Sequence, residues 1–215
     1  MIIGICGKSG CGKTTLANQI TKLTSKKVIH LDIDKVGHKV LLLSEVRDKL
    51  IDCFGNSIVK INTIDRKKLG EMVFNSRCEM KKLSDITWKY MQVEIDNFLN
   101  DNKDKIIILD WLLLPISKYF DMCDIKILLD VSYNIRKERA MKRDNITEED
   151  FYLREKSSID FKKEDFDYVF QKVDKEIIKR MVKSLWQRFY IQEVLILLQR
   201  DIWILLRKQV NYLMK

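Results

Sequence analysis

Along this chain, short runs of apolar residues alternate with longer stretches in which apolar positions recur every three or four residues. The runs are Ile2–Cys6, Val28–Leu31, Ile106–Leu109, Ile125–Leu129 and a weaker one at Tyr168–Phe170. Apolar runs with no polar alternation predict strands buried on both faces, and strands separated by helical stretches predict a parallel sheet with helices packed above and below it. Residues 36–102 hold no strand pattern and read as helices, including Arg66–Phe74 and Ser84–Leu99. Gly55-Asn56 interrupts them, and Pro115, the only proline, marks the turn after the third strand. The expected architecture is α/β: a three-layer fold with a five-stranded parallel sheet, helices on both faces and an all-helical insertion between the second and third strands. A chain of 215 residues that is 46% apolar supports one core of good size. The expected body runs from 1 to 183, with the insertion at about 36–102 and an Arg-bearing helical lid at about 136–158. Residues 184–215 form an amphipathic C-terminal extension.

The first apolar run ends in Gly7-Lys8-Ser9-Gly10-Cys11-Gly12-Lys13-Thr14, with the spacing G-x-x-x-x-G-K-[ST] of a phosphate-binding loop. Backbone N–H groups can curl around a phosphate chain only where side chains leave room, and four of the seven glycines lie at positions 4, 7, 10 and 12. The candidate cradle is Gly7, Ser9, Gly10, Cys11, Gly12, Lys13, Thr14 and Thr15. Lys13 would set its ammonium against the β- and γ-phosphates, Thr14 would offer a hydroxyl to Mg²⁺, and the helix opening here would point its positive end at the anion. The loop therefore predicts a bound nucleoside triphosphate with Mg²⁺.

Phosphoryl transfer further requires a carboxylate near the attacking hydroxyl and positive charge over the transferring group. The second run ends in Asp32-Ile33-Asp34, two acids at i and i+2 where strand ends adjoin the ligand crevice of an open parallel sheet. One suits a general base and the other a contact to metal-bound water, while helix capping competes for either. Asp110 ends the third run in the Walker B manner, so the magnesium carboxylate stays open among Asp32, Asp34 and Asp110. Arg136, Arg139 and Arg143 share a helical face by i, i+3, i+7 spacing, either a lid over the phosphates or a solvated basic face. Thr147 to Asp150 reads as the start of the next helix, which carries Arg154.

Net charge is +9, but Lys predominates over Arg and the basic residues are scattered, which favours an anionic small molecule over nucleic acid. Cys6, Cys11, Cys53, Cys78 and Cys123 show no metal-ligand spacing, and Met1–Cys6 is too short for a secretory leader. A reduced, cytoplasmic protein is expected. His30 and His38 read as incidental. From Ser184 onward, Trp186, Tyr190, Val194, Leu197, Leu198, Ile202 and Leu205 follow helical spacing, with too many charges between them for a membrane span. That stripe is expected to pack on the body, to self-associate or to dock a partner.

In this order the motifs resemble the dephospho-CoA kinase family over about residues 1–183. After the phosphate loop come Asp32-Ile33-Asp34, similar to that family's D-x-D, then Phe54-Gly55 and Asp65-Arg66 with Val73-Phe74. Leu112-Leu113-Leu114 lies where the family has its PLL turn, and Arg139, Arg143-Asp144 and Phe166–Phe170 resemble its closing elements. The resemblance implies Asp34 as base toward the ribose 3′-hydroxyl of dephospho-CoA. It implies Lys13 and Arg139 as catalytic charges, Arg143 on the ATP phosphates, and Asp32, Arg66 and Arg154 toward acceptor or nucleotide. Thr87-Trp88 stands where the family has His-Pro, Trp111 where it has Pro, Ser158 where it has Gln and Lys172 where it has Asn. These departures fall on acceptor and adenine contacts rather than on the phosphate side. A nucleoside or nucleotide kinase of the same fold is the alternative, which Trp111 after Asp110 argues against; a non-catalytic regulator working through its C-terminal helix is another.

Overall fold

The structure, a computed structural model, describes residues 1–184 apart from 25, 26, 62, 75, 177 and 180, together with residue 187. The chain divides into two compact units, Met1–Val173 and Asp174–Lys215. All the named strands and helices below belong to the first. In the second, the described residues are mostly helical, with the Ile178 N–H donating to the Asp174 carbonyl at 3.0 Å. The expected helix from 184 onward lies outside the described residues except for Ser184 and Gln187.

The first unit opens with β1 (Ile2–Cys6), α1 (Lys13–Leu23), β2 (Val28–Asp32), α2 (Ile33–Val40) and α3 (Ser44–Phe54). A hairpin of β3 (Val59–Lys60) and β4 (Thr63–Ile64) then leads to α4 (Arg66–Phe74) and the long α5 (Arg77–Asp101). The chain returns to the sheet as β5 (Ile106–Asp110), followed by α6 (Lys118–Asp121), β6 (Ile125–Leu129), α7 (Tyr133–Asp144), α8 (Glu148–Lys156) and β7 (Tyr168–Phe170). The main sheet is parallel throughout, in the order β2-β5-β1-β6-β7. β5, β1 and β6 occupy its interior, and β5, paired on both edges and covered on both faces, is buried at every position of Ile106-Ile107-Ile108-Leu109-Asp110. Each such Ile or Leu withdrawn from water contributes roughly 1.5–3 kcal/mol. The register sets Asp32 beside Asp110 and Ile5 beside Asp110, so the carboxyl ends of three strands converge on one spot.

The five strands fall where the apolar runs lie. The insertion, however, is not all-helical. β3 and β4 pair antiparallel, Val59 with Ile64 and Lys60 with Thr63, across a turn in which Ile61 has φ of 46°. Two-residue strands are too short to carry a period, so no alternation marks them. Their role is local: Ile58 and Ile64 are buried, and the Asp65 N–H donates to the Ile58 carbonyl at 2.7 Å, turning the chain into α4. α5 begins where the Ser76 hydroxyl accepts the Glu79 N–H, and its buried Thr87, Met91, Ile95 and Leu99 repeat every four residues along the face turned to the core.

Candidate active site

The loop from Gly7 to Gly12 joins β1 to α1, and its geometry excludes side chains at some points. At Gly10 φ is +80°, and a Cβ there would stand 2.2 Å from the Arg136 carbonyl oxygen, so α7 presses directly on the loop. α1 starts at Lys13 after Gly12, which is left-handed and supplies no side-chain cap, and the first turn contains no acid. Its terminal N–H groups are thus left to an anion. The Lys13 ammonium donates to the Gly7 carbonyl at 2.9 Å, folded back across the loop. Cys11 is buried in this turn, and burial pushes its thiol pKa up, with the nearby Lys13 opposing only in part. Ser9 accepts from Arg136 through its carbonyl at 3.5 Å, and Thr15 is exposed.

The Thr14 hydroxyl donates to Oδ2 of Asp110 at 2.7 Å, linking the phosphate loop to the end of β5. Asp110 is 2% exposed, and Nε2 of His30 lies 3.4 Å from the same oxygen. A hydroxyl and a carboxylate at this separation are hard oxygen donors that suit Mg²⁺. Among the described residues no cluster of three or more His, Cys, Asp or Glu could hold a metal alone. Phosphate oxygens and water would complete the shell, as Mg²⁺ prefers. Of the three acids left open by sequence, Asp110 is the one in contact with Thr14.

Asp32 and Asp34 do not share a strand face, because the chain turns into α2 immediately after Asp32. Asp32 caps that helix, accepting the Lys35 N–H at 3.2 Å and pairing with the Lys35 ammonium at 3.3 Å. Asp34 lies in the first turn of α2, open to solvent by surface area yet crowded by the surrounding chain. That crowding raises its carboxyl pKa by desolvation; Asp110 and Asp32 add to the rise, while Lys13 and the Trp111 indole N–H oppose it.

The Arg face of α7 divides. Arg139 reaches the loop, its Nη1 at 4.0 Å from where a Gly12 Cβ would be. Arg143 grips Asp144 with Nε and Nη2 at 2.7 and 2.9 Å and feels the charge of Asp34, while Arg154 of α8 donates to the same Asp144 at 2.6 Å. Arg136 is not free to face phosphates: it is 6% exposed, and its guanidinium holds Glu155 of α8 through two bonds at 2.7 and 2.9 Å. Helical spacing sets which residues share a face but not what the face meets. Removing one partner of a buried pair of this kind costs roughly 3–5 kcal/mol. Arg66 opens α4, and its charge adds to burial in holding the His38 imidazole pKa below its usual value.

Two features escaped sequence reading. Trp88 and Trp111 stack with centroids 5.5 Å apart at 14°, with Tyr119 edge-on to Trp88 at 6.3 Å, joining α5 to the end of β5. Glu155, which holds Arg136, had no signal beyond ordinary helix-surface charge. Thr87 is buried and turns its hydroxyl onto the Leu83 carbonyl at 2.8 Å, so the Thr87-Trp88 departure is absorbed in helix and aromatic packing.

The sequence model of the dephospho-CoA kinase family matches residues 1–172. A dephospho-CoA kinase of Aquifex aeolicus is 34% identical over 160 residues, 73% of this chain and 80% of that protein. One of Fusobacterium nucleatum is 35% identical over 155 residues, 69% of this chain and 76% of that protein. Among solved structures, the dephospho-CoA kinase from Campylobacter jejuni superposes with a TM-score of 0.60 at 21% identity, covering 87% of this chain and 96% of that one, a likeness of fold. With the phosphate loop, the Thr14–Asp110 contact and the Arg-bearing helix pair in place, the chain belongs to the dephospho-CoA kinase family.

Proposed function

We propose that this protein transfers the γ-phosphoryl group of ATP to the ribose 3′-hydroxyl of dephospho-CoA, yielding coenzyme A and ADP. The relatives' activity supports the acceptor, and the observation that carries the chemistry is the convergence of Lys13, Thr14, Asp34 and Asp110 at the carboxyl ends of β1, β2 and β5. Thr14 and Asp110 would hold Mg²⁺, which when bound neutralises charge on the β- and γ-phosphates. Lys13 exchanges the Gly7 carbonyl for phosphate oxygen. Asp34 accepts the proton as the 3′-oxygen bonds to the γ-phosphorus and the bond to the bridging oxygen breaks, releasing ADP. Arg139 and Arg143 neutralise charge on the transferring group, Arg143 leaving Asp144 to do so. Arg66 and Arg154 are cations for acceptor or nucleotide, and Asp32 orders the turn that carries Asp34. A cytoplasmic location is part of the proposal, supported by free thiols at all five cysteines.

The test is release of ADP from MgATP in the presence of dephospho-CoA, nucleosides and nucleoside monophosphates, with the phosphorylated acceptor identified by mass spectrometry. Turnover with dephospho-CoA well above the others supports the assignment. Preference for a nucleoside or nucleotide, or absence of any acceptor-dependent ADP, overturns it.

A further inference from the structure

We propose that Arg136 is a positioning residue, whose buried guanidinium fastens the helix pair α7–α8 to the phosphate loop so that lid posture and nucleotide grip change together. Its contacts radiate to three places. Nε donates to the Val131 carbonyl at 2.9 Å in the turn after β6. Nη1 reaches the Ser9 carbonyl at 3.5 Å. Nη1 and Nη2 together hold both oxygens of Glu155 in the last turn of α8. Glu155 in turn lies 3.3 Å from the ammonium of Lys8, a phosphate-loop residue that also bonds Asp160 at 3.1 Å. The backbone makes the same junction, since the Arg136 carbonyl occupies the space that a side chain at Gly10 would need.

A forked guanidinium fits this role because it fixes direction as well as charge: two parallel bonds to one carboxylate define a plane, which a lysine cannot do. Burial of the guanidinium limits the water that would otherwise compete for it, while Glu155 keeps partial access to solvent. The start of α7 and the end of α8 are thereby closed on one another and on the loop, while Arg139 and Arg143 project from the segment between them. A nucleotide in the cradle meets a lid already referenced to the loop, so less ordering is left for binding to impose.

The proposal rests on a nucleotide occupying the phosphate loop, and it is tested on the full chain with MgATP titrated calorimetrically in the absence of acceptor. Arg136→Met with Glu155→Leu removes the fork without stranding a buried charge. We expect this double variant to melt near the wild-type temperature, to bind MgATP at least ~10-fold more weakly and to show a matching rise in KM for ATP. Glu155→Gln keeps the shape without the charge and should lose affinity by a smaller factor; it carries the test if the double variant does not fold. Wild-type affinity and KM in a folded variant overturn the proposal. So does a fall in kcat that only tracks the fraction of folded protein at unchanged KM, which is what a purely structural pair would give. Wild-type protein that binds MgATP but does not turn over dephospho-CoA defeats the acceptor assignment alone.

Discussion

The sides of this site proposed for donor and acceptor are built from different materials. On the donor side, positions are set by backbone and charge: the Gly7–Gly12 turn, the uncapped start of α1, the Thr14–Asp110 bond and the Arg136–Glu155 fork. On the side proposed for the acceptor, α5 meets the end of β5 through stacked rings, Trp88 on Trp111 with Tyr119 edge-on to Trp88. Polar geometry tolerates almost no substitution, since a donor moved by an ångström is lost. Ring packing accepts exchanges of similar volume. Asp34 belongs to both, facing Lys13 on one side and the Trp111 indole on the other.

The largest effect should come from the donor side. Lys13→Met removes the charge proposed to meet the transferring phosphoryl and should lower kcat by ~10³-fold with the fold intact, as read by steady-state kinetics and circular dichroism. A loss under tenfold would erase the distinction between the two sides. Asp34→Asn, at their junction, should cost at least ~100-fold in kcat while calorimetry shows MgATP still bound. Retained activity would reassign Asp34 to opening α2 alongside Asp32.

Trp111→Phe sharpens the comparison because it keeps a ring for Trp88 while deleting the indole N–H. That N–H favours the ionised carboxylate, so its loss raises the Asp34 pKa further above the ordinary Asp value. A base must be ionised to act, so activity falls as pH drops through this pKa, and the acid limb of kcat should move to higher pH. A profile that keeps its shape would confine Trp111 to packing. The smallest effect is expected from alkylation. Iodoacetamide should label Cys53 and Cys78, which are exposed, and spare buried Cys6, Cys11 and Cys123, leaving turnover nearly unchanged. Burial raises the pKa of each of those three thiols, to about 12 for Cys123, which keeps the reactive thiolate scarce. Peptide mapping that finds Cys11 labelled in active protein would show that the phosphate loop is less closed than its packing implies.

Legibility followed the range of the interaction. The five strands were readable because a strand buried on both faces must be apolar along its length, and Ile106–Leu109 is, up to the acid that ends it. The phosphate loop was readable because its glycines answer a local steric demand. β3 and β4 were not, being two residues each. Arg136 was placed on a face with Arg139 and Arg143, yet its direction depends on Glu155, which sits 19 residues away on another helix.

By itself, then, the chain's sequence determined what local periodicity and local sterics can encode: the order of strands and helices, the phosphate cradle and the set of acids and arginines available for transfer. Only the tertiary structure decided which of them meet. Asp110 rather than Asp32 contacts Thr14 because β5 inserts between β1 and β2, bringing together residues 96 positions apart. Asp32 became a helix cap because the chain turns directly after β2. Arg136 became an anchor because α7 lies against Gly10. Contacts of that kind depend on relative placement of whole elements, which no window of sequence contains.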